Sequence, residues 1–483
     1  MKISRKSFLS GLGLSALALA GTACGGSSAS SEAASSTVQR DPITITVWTY
    51  YNGDQLETFN QLLDTFNSTV GRENGITVES SSQGNVNELE SSVLDAANGK
   101  VGAAELPNIF LAYADTAYAI DQMGLIADLS PYFTEEERSA YLENYLSEGD
   151  FDGNGSIKIF PTAKSTELLF LNDTDWQTFA DATGASYDDL ATIEGLIDTA
   201  ERYYNWTEQQ TGTGVALFGR DSMGNYMILG AQQLGHNLFN VENGKMTLDF
   251  PEDVARKLWD SYYVPFIKGW FAATGRFRSD DIKTGNIIGY VGSSSSATYF
   301  PSQVMSSDTE SHDIALKVLP NPRFKGGKAV TVQQGAGMAV TNHSEDAVEA
   351  CVTFLKWFTA PENNIAFAVG SGYLPVTHAA NDMDAIRSSG LVLTDTMDAI
   401  LTGAVEATNT LELYTSKAFA GGADARNILT YCLSDLADAD RATVLERVAA
   451  GQSAADAEAE FLTDEYFENW YTDLCDQLRA YED

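Results

Sequence analysis

Residues 43–67 read ITITVWTYYNGDQLETFNQLLDTFN, and the change of period inside this stretch decides the fold. It opens as a strand from Ile43 to Trp48 and turns at Asn52-Gly53-Asp54, where Asp54 is placed to cap a helix. Leu56, Phe59, Leu62, Leu63 and Phe66 then recur with helical spacing. The unit repeats. GITVESSSQ (75–83) leads into a helix with Val86, Leu89, Val93 and Leu94 on one face, and PNIFLAYAD (107–115) leads into a helix beginning near Thr116. This alternation predicts an α/β fold with a mainly parallel sheet. In such sheets ligands sit at the carboxyl ends of the strands. Here those loops carry Thr49-Tyr50-Tyr51-Asn52, Ser81-Ser82-Gln83 and Tyr113-Ala114-Asp115.

Size and charge bound the rest. The chain has 483 residues, 44% of them hydrophobic, which is more than one ordinary core holds and predicts two lobes. Its 67 acidic residues outnumber 29 Lys and Arg, so the surface repels nucleic acid and anionic lipid. The acids are interleaved with apolar residues, unlike a disordered acidic tail.

The N-terminus has the layout of an export signal: Lys2, Arg5 and Lys6, an apolar run from Phe8 to Ala20, then small residues. The run falls short of the roughly 20 residues a membrane-spanning helix needs. SRKSFL resembles a twin-arginine signal with Lys6 in place of the second arginine, which leaves the export route open. AGTAC, ending at Cys24, resembles a lipobox, although Gly21 stands where Leu is preferred. It implies lipidation of Cys24, and the Ser/Ala/Gly run that follows reads as a flexible tether. Of the remaining cysteines, Cys351 lies at helical spacing with Phe354, Leu355 and Phe358 and reads as a buried thiol; Cys432 and Cys475 are free to pair or not.

In GDFDGNGSIKIFPTAKSTELLFLNDTDW (149–176), Asp150, Asp152, Asn154, Gly155 and Ile157 match five positions of an EF-hand loop. Pro161 stands where the bidentate Glu belongs, so Asp-Gly-Asn-Gly reads as a turn. IKIFP and ELLFLN read as strands flanking the polar knot Lys164-Ser165-Thr166-Glu167, which suits a chain crossing between lobes. Val215–Phe218 and Ile287–Val291 read as further strands, with Asp221 or Ser222 capping the helix that carries Tyr226. Arg220 is expected to pair with an acid or to face a ligand. Val254, Leu258, Trp259 and Tyr262 read as core.

In order, the lipobox-like start, ITVWTYYNGDQLETFNQLLDTFN, IFPTAKSTELLFLND, ALFGRDSMGNYMI, IIGYVGSSSSA and AVEACVTFLKWFTAPENNIAFAVGSGYLPV resemble the extracellular solute-binding proteins of ABC importers, in the sugar-binding family 1 branch. The resemblance covers nearly everything after residue 41. It implies a two-lobe periplasmic-binding-protein-like fold with an interlobe hinge and cleft, crossed near residues 162 and 330 and again near 372. The implied parts are a signal peptide (1–23), a tether (24–40), an N-terminal lobe (41–162 with 332–372) and a C-terminal lobe (163–331 with 373–483). The partners implied are a small solute and an ABC permease, with contact to the outer face of the cell membrane through the lipid alone, and a monomeric state.

A sugar presents apolar ring faces and hydroxyl rims, which aromatic platforms and polar side chains recognise. The expected contacts are Tyr50, Tyr51, Asp54, Ser82, Gln83, Tyr113, Asp115, Ser165, Glu167, Arg220, Tyr226, Ser294, Ser295, Gln334 and Tyr373. A polyamine or peptide held by carboxylates is the alternative; paired unneutralised carboxylates in the cleft would favour it. An anionic ligand fits poorly, with Lys164 and Arg220 the only bases at hand. An enzyme finds little support. His236, His312, His343 and His378 have no mutual metal-ligand spacing, Gly292–Ser296 is not a nucleophile elbow, and GAGMAV lacks the third glycine of a nucleotide fingerprint. No cofactor or metal is expected.

Overall fold

The structure, a computed structural model, describes residues 42–242, 244–305 and 310–482. The export signal, Cys24 and the tether lie outside the described residues.

The opening stretch builds the centre of the first sheet. Strand Ile43–Thr49 buries Ile45, Val47 and Thr49 and turns the alternate residues outward. It pairs in parallel with Ile76–Ser82 from Ile43 opposite Ile76 to Thr49 opposite Ser82. On its other edge it pairs in parallel with Ile109–Ala112, and Gly337–Val340 closes the sheet antiparallel to that strand. Helix Gly53–Ser68 buries Phe59, Leu62, Leu63 and Phe66, the expected stripe. Asp54 does not cap it. Asn52 holds the cap position, and Asp54 lies in the first turn, where its charge favours the helix dipole. The second helix, Val86–Ala97, carries a true capping box: Glu88 N donates to Asn85 Oδ1 and Asn85 N donates to Glu88 Oε2. The third, Ala114–Gln122, starts two residues before Thr116.

The second sheet runs Leu316–Pro320, Glu167–Asn172, Gly289–Ser293, Phe218–Arg220. Only its last pair is parallel, so the expected mainly parallel pattern holds for the first sheet and not for this one. Glu167–Asn172 is entered from a chain crossing rather than from a packed helix, so no helical crossover dictates its direction. Two expected strands shift along the chain. Val215–Phe218 becomes Phe218–Arg220, and Ile287–Val291 becomes Gly289–Ser293. IKIFP forms only an isolated bridge, Phe160 to Met338.

The two sheets share no strand, and separate cores pack against them. One contains Ile45, Val47, Phe59, Phe66, Leu111, Phe354 and Phe367. The other side has a large cluster around Trp176, Phe218, Leu258, Trp259 and Tyr262, and a smaller one around Phe170, Tyr290 and Ile400. The molecule is therefore two α/β lobes. Where the chain passes between them, three extended segments lie side by side. Ser165 and Gln334 exchange backbone hydrogen bonds of 2.9 Å in both directions, and Lys164 and Leu374 do the same at 3.0 and 2.5 Å. The Lys164–Glu167 knot sits in this bundle, with the Thr166 and Thr331 hydroxyls 2.7 Å apart.

Asp150 closes its turn by accepting from Asn154 N and Gly155 N, each at 3.0 Å, in keeping with the turn reading. Cys351, Cys432 and Cys475 are free thiols, Cys351 and Cys475 buried. Among the described residues no helix is long and apolar enough to cross a membrane.

Candidate ligand-binding cleft

The carboxyl ends of the first sheet's parallel strands face the second sheet across a cavity of about 1010 Å³. A second chamber of about 260 Å³ adjoins it, and Val86, Tyr113 and Gln334 line both.

The outer, larger chamber is walled by groups that both donate and accept hydrogen bonds. Tyr50 and Tyr373 meet hydroxyl to hydroxyl at 3.2 Å, and Tyr51 packs behind them with ring centroids 5.5 and 6.0 Å away. Burial pushes the phenols of Tyr50, Tyr113 and Tyr373 upward, so they stay neutral. On the facing wall the Ser293 and Ser295 hydroxyls lie 2.9 Å apart, Ser296 Oγ donates to Ser293 O, and Gln55 Nε2 reaches across to Ser295 O at 3.2 Å. Two aromatic faces are unusually open here, Phe277 and Tyr299, each 53% exposed. The Arg276 guanidinium lies 5.2 Å from the Phe277 ring centroid.

The outer chamber's carboxylates are engaged locally. Glu88 completes its capping box, Asp280 accepts from Phe277 N, and Asp221 Oδ1 accepts from Arg278 N at 3.0 Å. Burial pushes Asp221 up to about 6, with the Arg278 amide and charge opposing. Arg276 and Lys283 line the same space, so acids and bases nearly balance.

The inner chamber is more acidic. Arg426 Nε donates to Asp115 Oδ2 at 3.2 Å, joining helix Gly422–Tyr431 of one lobe to helix Ala114–Gln122 of the other. A Cβ on Gly422 would fall 2.3 Å from Asp115 Oδ1, so only glycine lets the carboxylate rest on that backbone. Glu148 is held by Lys164 and by Gln333 Nε2 at 2.8 Å. Glu90 completes the acidic lining, and burial raises both it and Asp115.

Of the expected contacts, Tyr50, Tyr113, Ser165, Ser295, Gln334 and Tyr373 line the outer chamber, and Asp115 joins Tyr113 and Gln334 at the inner one. The others sit elsewhere. Tyr51 belongs to the aromatic core behind the floor, where its ring meets Phe59 and Phe367. Ser82 Oγ donates to Tyr51 O, Gln83 binds Ser81 at the surface, and Ser294 is buried outside both chambers. Asp54 borders a separate cavity of about 280 Å³ beside Val369 and Met397. Glu167, Arg220 and Tyr226 surround a void of only about 10 Å³. There Arg220 stacks on the Tyr226 ring at 4.7 Å beside the Glu167 charge, Glu167 accepts from Asn225 and Asn321, and Tyr226 Oη donates to Leu258 O. Arg220 thus faces the Glu167 charge and the Tyr226 ring without lining either chamber.

Sequence reasoning missed Phe277, Tyr299, Gln55, Glu90 and Arg426. TGRFRSDD (274–281) carried a usable signal, an aromatic alone among charges and outside any apolar period. Arg426 carried none.

The model of the bacterial extracellular solute-binding protein family matches residues 61–394. No curated protein matches the sequence. Among solved structures, the GacH receptor of Streptomyces glaucescens, solved unliganded and with acarbose, is 15% identical with a TM-score of 0.64, over 91% of this chain and 99% of that one. UgpB from Mycobacterium tuberculosis, with glycerophosphocholine, is 19% identical with a TM-score of 0.63, over 91% and 99%. The cyclic alpha-maltosyl-1,6-maltose binding protein from Arthrobacter globiformis is 18% identical with a TM-score of 0.61, over 90% and 99%.

Proposed function

The chain belongs to the bacterial extracellular solute-binding proteins, and from that premise we propose that it captures a mono- or oligosaccharide in the cleft and delivers it to an ABC permease. The observation that carries this reading is the outer chamber: open faces at Phe277 and Tyr299 beside neutral serine hydroxyls, with neutral tyrosine and amide groups across from them. Apolar faces match sugar rings, and two-way donors and acceptors match hydroxyl rims. The saccharide ligands named for the similar GacH and Arthrobacter structures support it. The glycerophosphocholine of UgpB marks how far the ligand class extends on this fold.

Binding without turnover is the proposed activity, since the outer chamber's carboxylates are occupied by backbone amides rather than presented as an acid and base pair. The lobes, taken as 41–162 with 332–372 and 163–331 with 373–483, close on ligand by hinge motion at the three crossings. The protein works as a monomer held at the outer face of the cell membrane by lipid on Cys24 and the tether to residue 40.

Thermal unfolding of the mature chain against neutral saccharides, polyamines and short peptides tests this. A ligand at 100 times its Kd adds about 2.7 kcal/mol. A shift with saccharides that remain unconsumed supports the reading. A shift with polyamines or peptides alone overturns the sugar, and consumption of a saccharide overturns the binding-only role.

A further inference from the structure

We propose that the inner chamber is a subsite for a protonated amine, so that the preferred ligand is an amino sugar or an oligosaccharide bearing one at its inner end. The inference rests on the saccharide reading of the outer chamber and extends it.

Three observations carry it. The first is size and position. At about 260 Å³ the inner chamber falls below the roughly 300–1,000 Å³ of whole small-molecule sites. It opens onto the outer one through Tyr113 and Gln334, and so suits one end of a longer ligand. The second is charge. Lys164 answers Glu148, while Asp115 and Glu90, which accepts from the Thr116 hydroxyl, share the single charge of Arg426. Three carboxylates thus face two cations. The third is unmet hydrogen bonding. Asp115 is 8% exposed and, among the described residues, its Oδ1 accepts no hydrogen bond, and Gln334 Oε1 is likewise buried without one. Both are acceptors, and a buried acceptor left unpaired is costly. An ammonium brings three donors and a positive charge, whereas a sugar hydroxyl brings one donor and no charge. The outer chamber has a near balance of charge.

The test is calorimetric titration of the full chain with matched saccharides. Glucose, galactose and their β-1,4-linked oligomers are each compared with the 2-amino-2-deoxy and the N-acetylated analogue. An amino saccharide binding at least tenfold tighter than both analogues is expected, with Glu90→Gln removing most of that difference. Asp115→Asn serves as the second variant should Glu90→Gln fold poorly. Equal or tighter binding of the neutral analogues overturns the inference and leaves the saccharide reading standing. If no saccharide of any kind binds, the saccharide reading fails; spermidine binding weakened by Glu90→Gln then upholds the amine subsite, and no spermidine binding overturns it too.

Discussion

Replacing Lys164 by methionine tests how the hinge is held. Lys164 is fully buried in the crossing bundle, and its ammonium bonds Glu148 Oε2 and, at 2.8 Å, Gly335 O. The two charged side chains are 1% and 5% exposed. Two effects compete. Exposed ion pairs are worth about 0–1 kcal/mol because water screens them. Removing one partner of a buried pair strands the other charge in a low dielectric and costs about 3–5 kcal/mol. The exposures place this pair in the second class, so Lys164→Met is expected to cost about 3–5 kcal/mol. Glu148 retains only the Gln333 amide, which does not neutralise it. Replacing both charges, in Lys164→Met/Glu148→Met, removes the stranded charge and is expected to recover most of the loss. Urea unfolding of the four proteins in a double-mutant cycle reads the coupling directly. A single variant that loses under about 1 kcal/mol, or a double variant as unstable as the sum of the singles, would refute the assignment of a buried, mutually dependent pair.

Three further outcomes follow from the same reasoning. Phe277→Ala and Tyr299→Ala alter side chains already 53% exposed, so unfolding midpoints should stay within about 0.5 kcal/mol of the parent while saccharide affinity in calorimetry falls several-fold, by about 1 kcal/mol of lost stacking. Asp221 is held up to about 6 by burial, against about 3.9 unfolded, with Arg278 opposing and Asp280 and Asp281 reinforcing. Between those values the native state binds more protons than the unfolded one, so this residue's stability contribution is present at low pH and is lost as pH rises from about 4 to 6. Asp221→Asn should therefore gain stability relative to the parent between pH 4 and pH 7, by about 1–3 kcal/mol, and a flat difference across urea titrations at those pH values would contradict it. Cys24→Ser should release the protein from the membrane fraction and abolish palmitate labelling in cells; a labelled variant would contradict lipidation at this residue.

The parts of the fold that could be read in advance are those written in local period. The turn of period at Asn52 gives a strand and a helix because neighbouring residues alone set both patterns, and the loop between them was bound to carry Tyr50 to the cleft. The polar knot at Lys164 stood out because charge and hydroxyls between two apolar runs need an unusual setting. What stayed hidden depends on partners distant in sequence. The antiparallel centre of the second sheet is a matter of which strands meet, and the residues of ELLFLN are buried on both faces whichever way their neighbours run. Glu167, Arg220 and Tyr226 have the residue types of a binding site, yet they pack together beneath it, Glu167 held by Asn225 and Asn321, Tyr226 by Leu258 O, and Arg220 stacked on the Tyr226 ring. Arg426 stands 311 residues from the Asp115 it meets, and nothing in its own helix marks it.

The contacts joining the lobes away from the hinge also limit what holds the cleft shut. One is the Asp115–Arg426 pair, whose arginine side chain is 35% exposed, and another is the Gln55 amide on Ser295 O. The first is worth about 1 kcal/mol after screening and the second about 1 kcal/mol net. Driving a two-state closure from mostly open to mostly closed takes about 5.5 kcal/mol of differential affinity. These two contacts supply less than half of that, so a ligand that touches both walls at once adds to closure. The outer chamber is built for this, with Tyr50 and Tyr113 on one wall and Phe277 and Tyr299 on the other. A saccharide fragment that reaches only one wall should therefore bind weakly and leave the solution radius unchanged, whereas one that spans the chamber should compact the protein in small-angle X-ray scattering. Equal compaction by both would mean that the lobes close on their own contacts and that the ligand merely occupies the space.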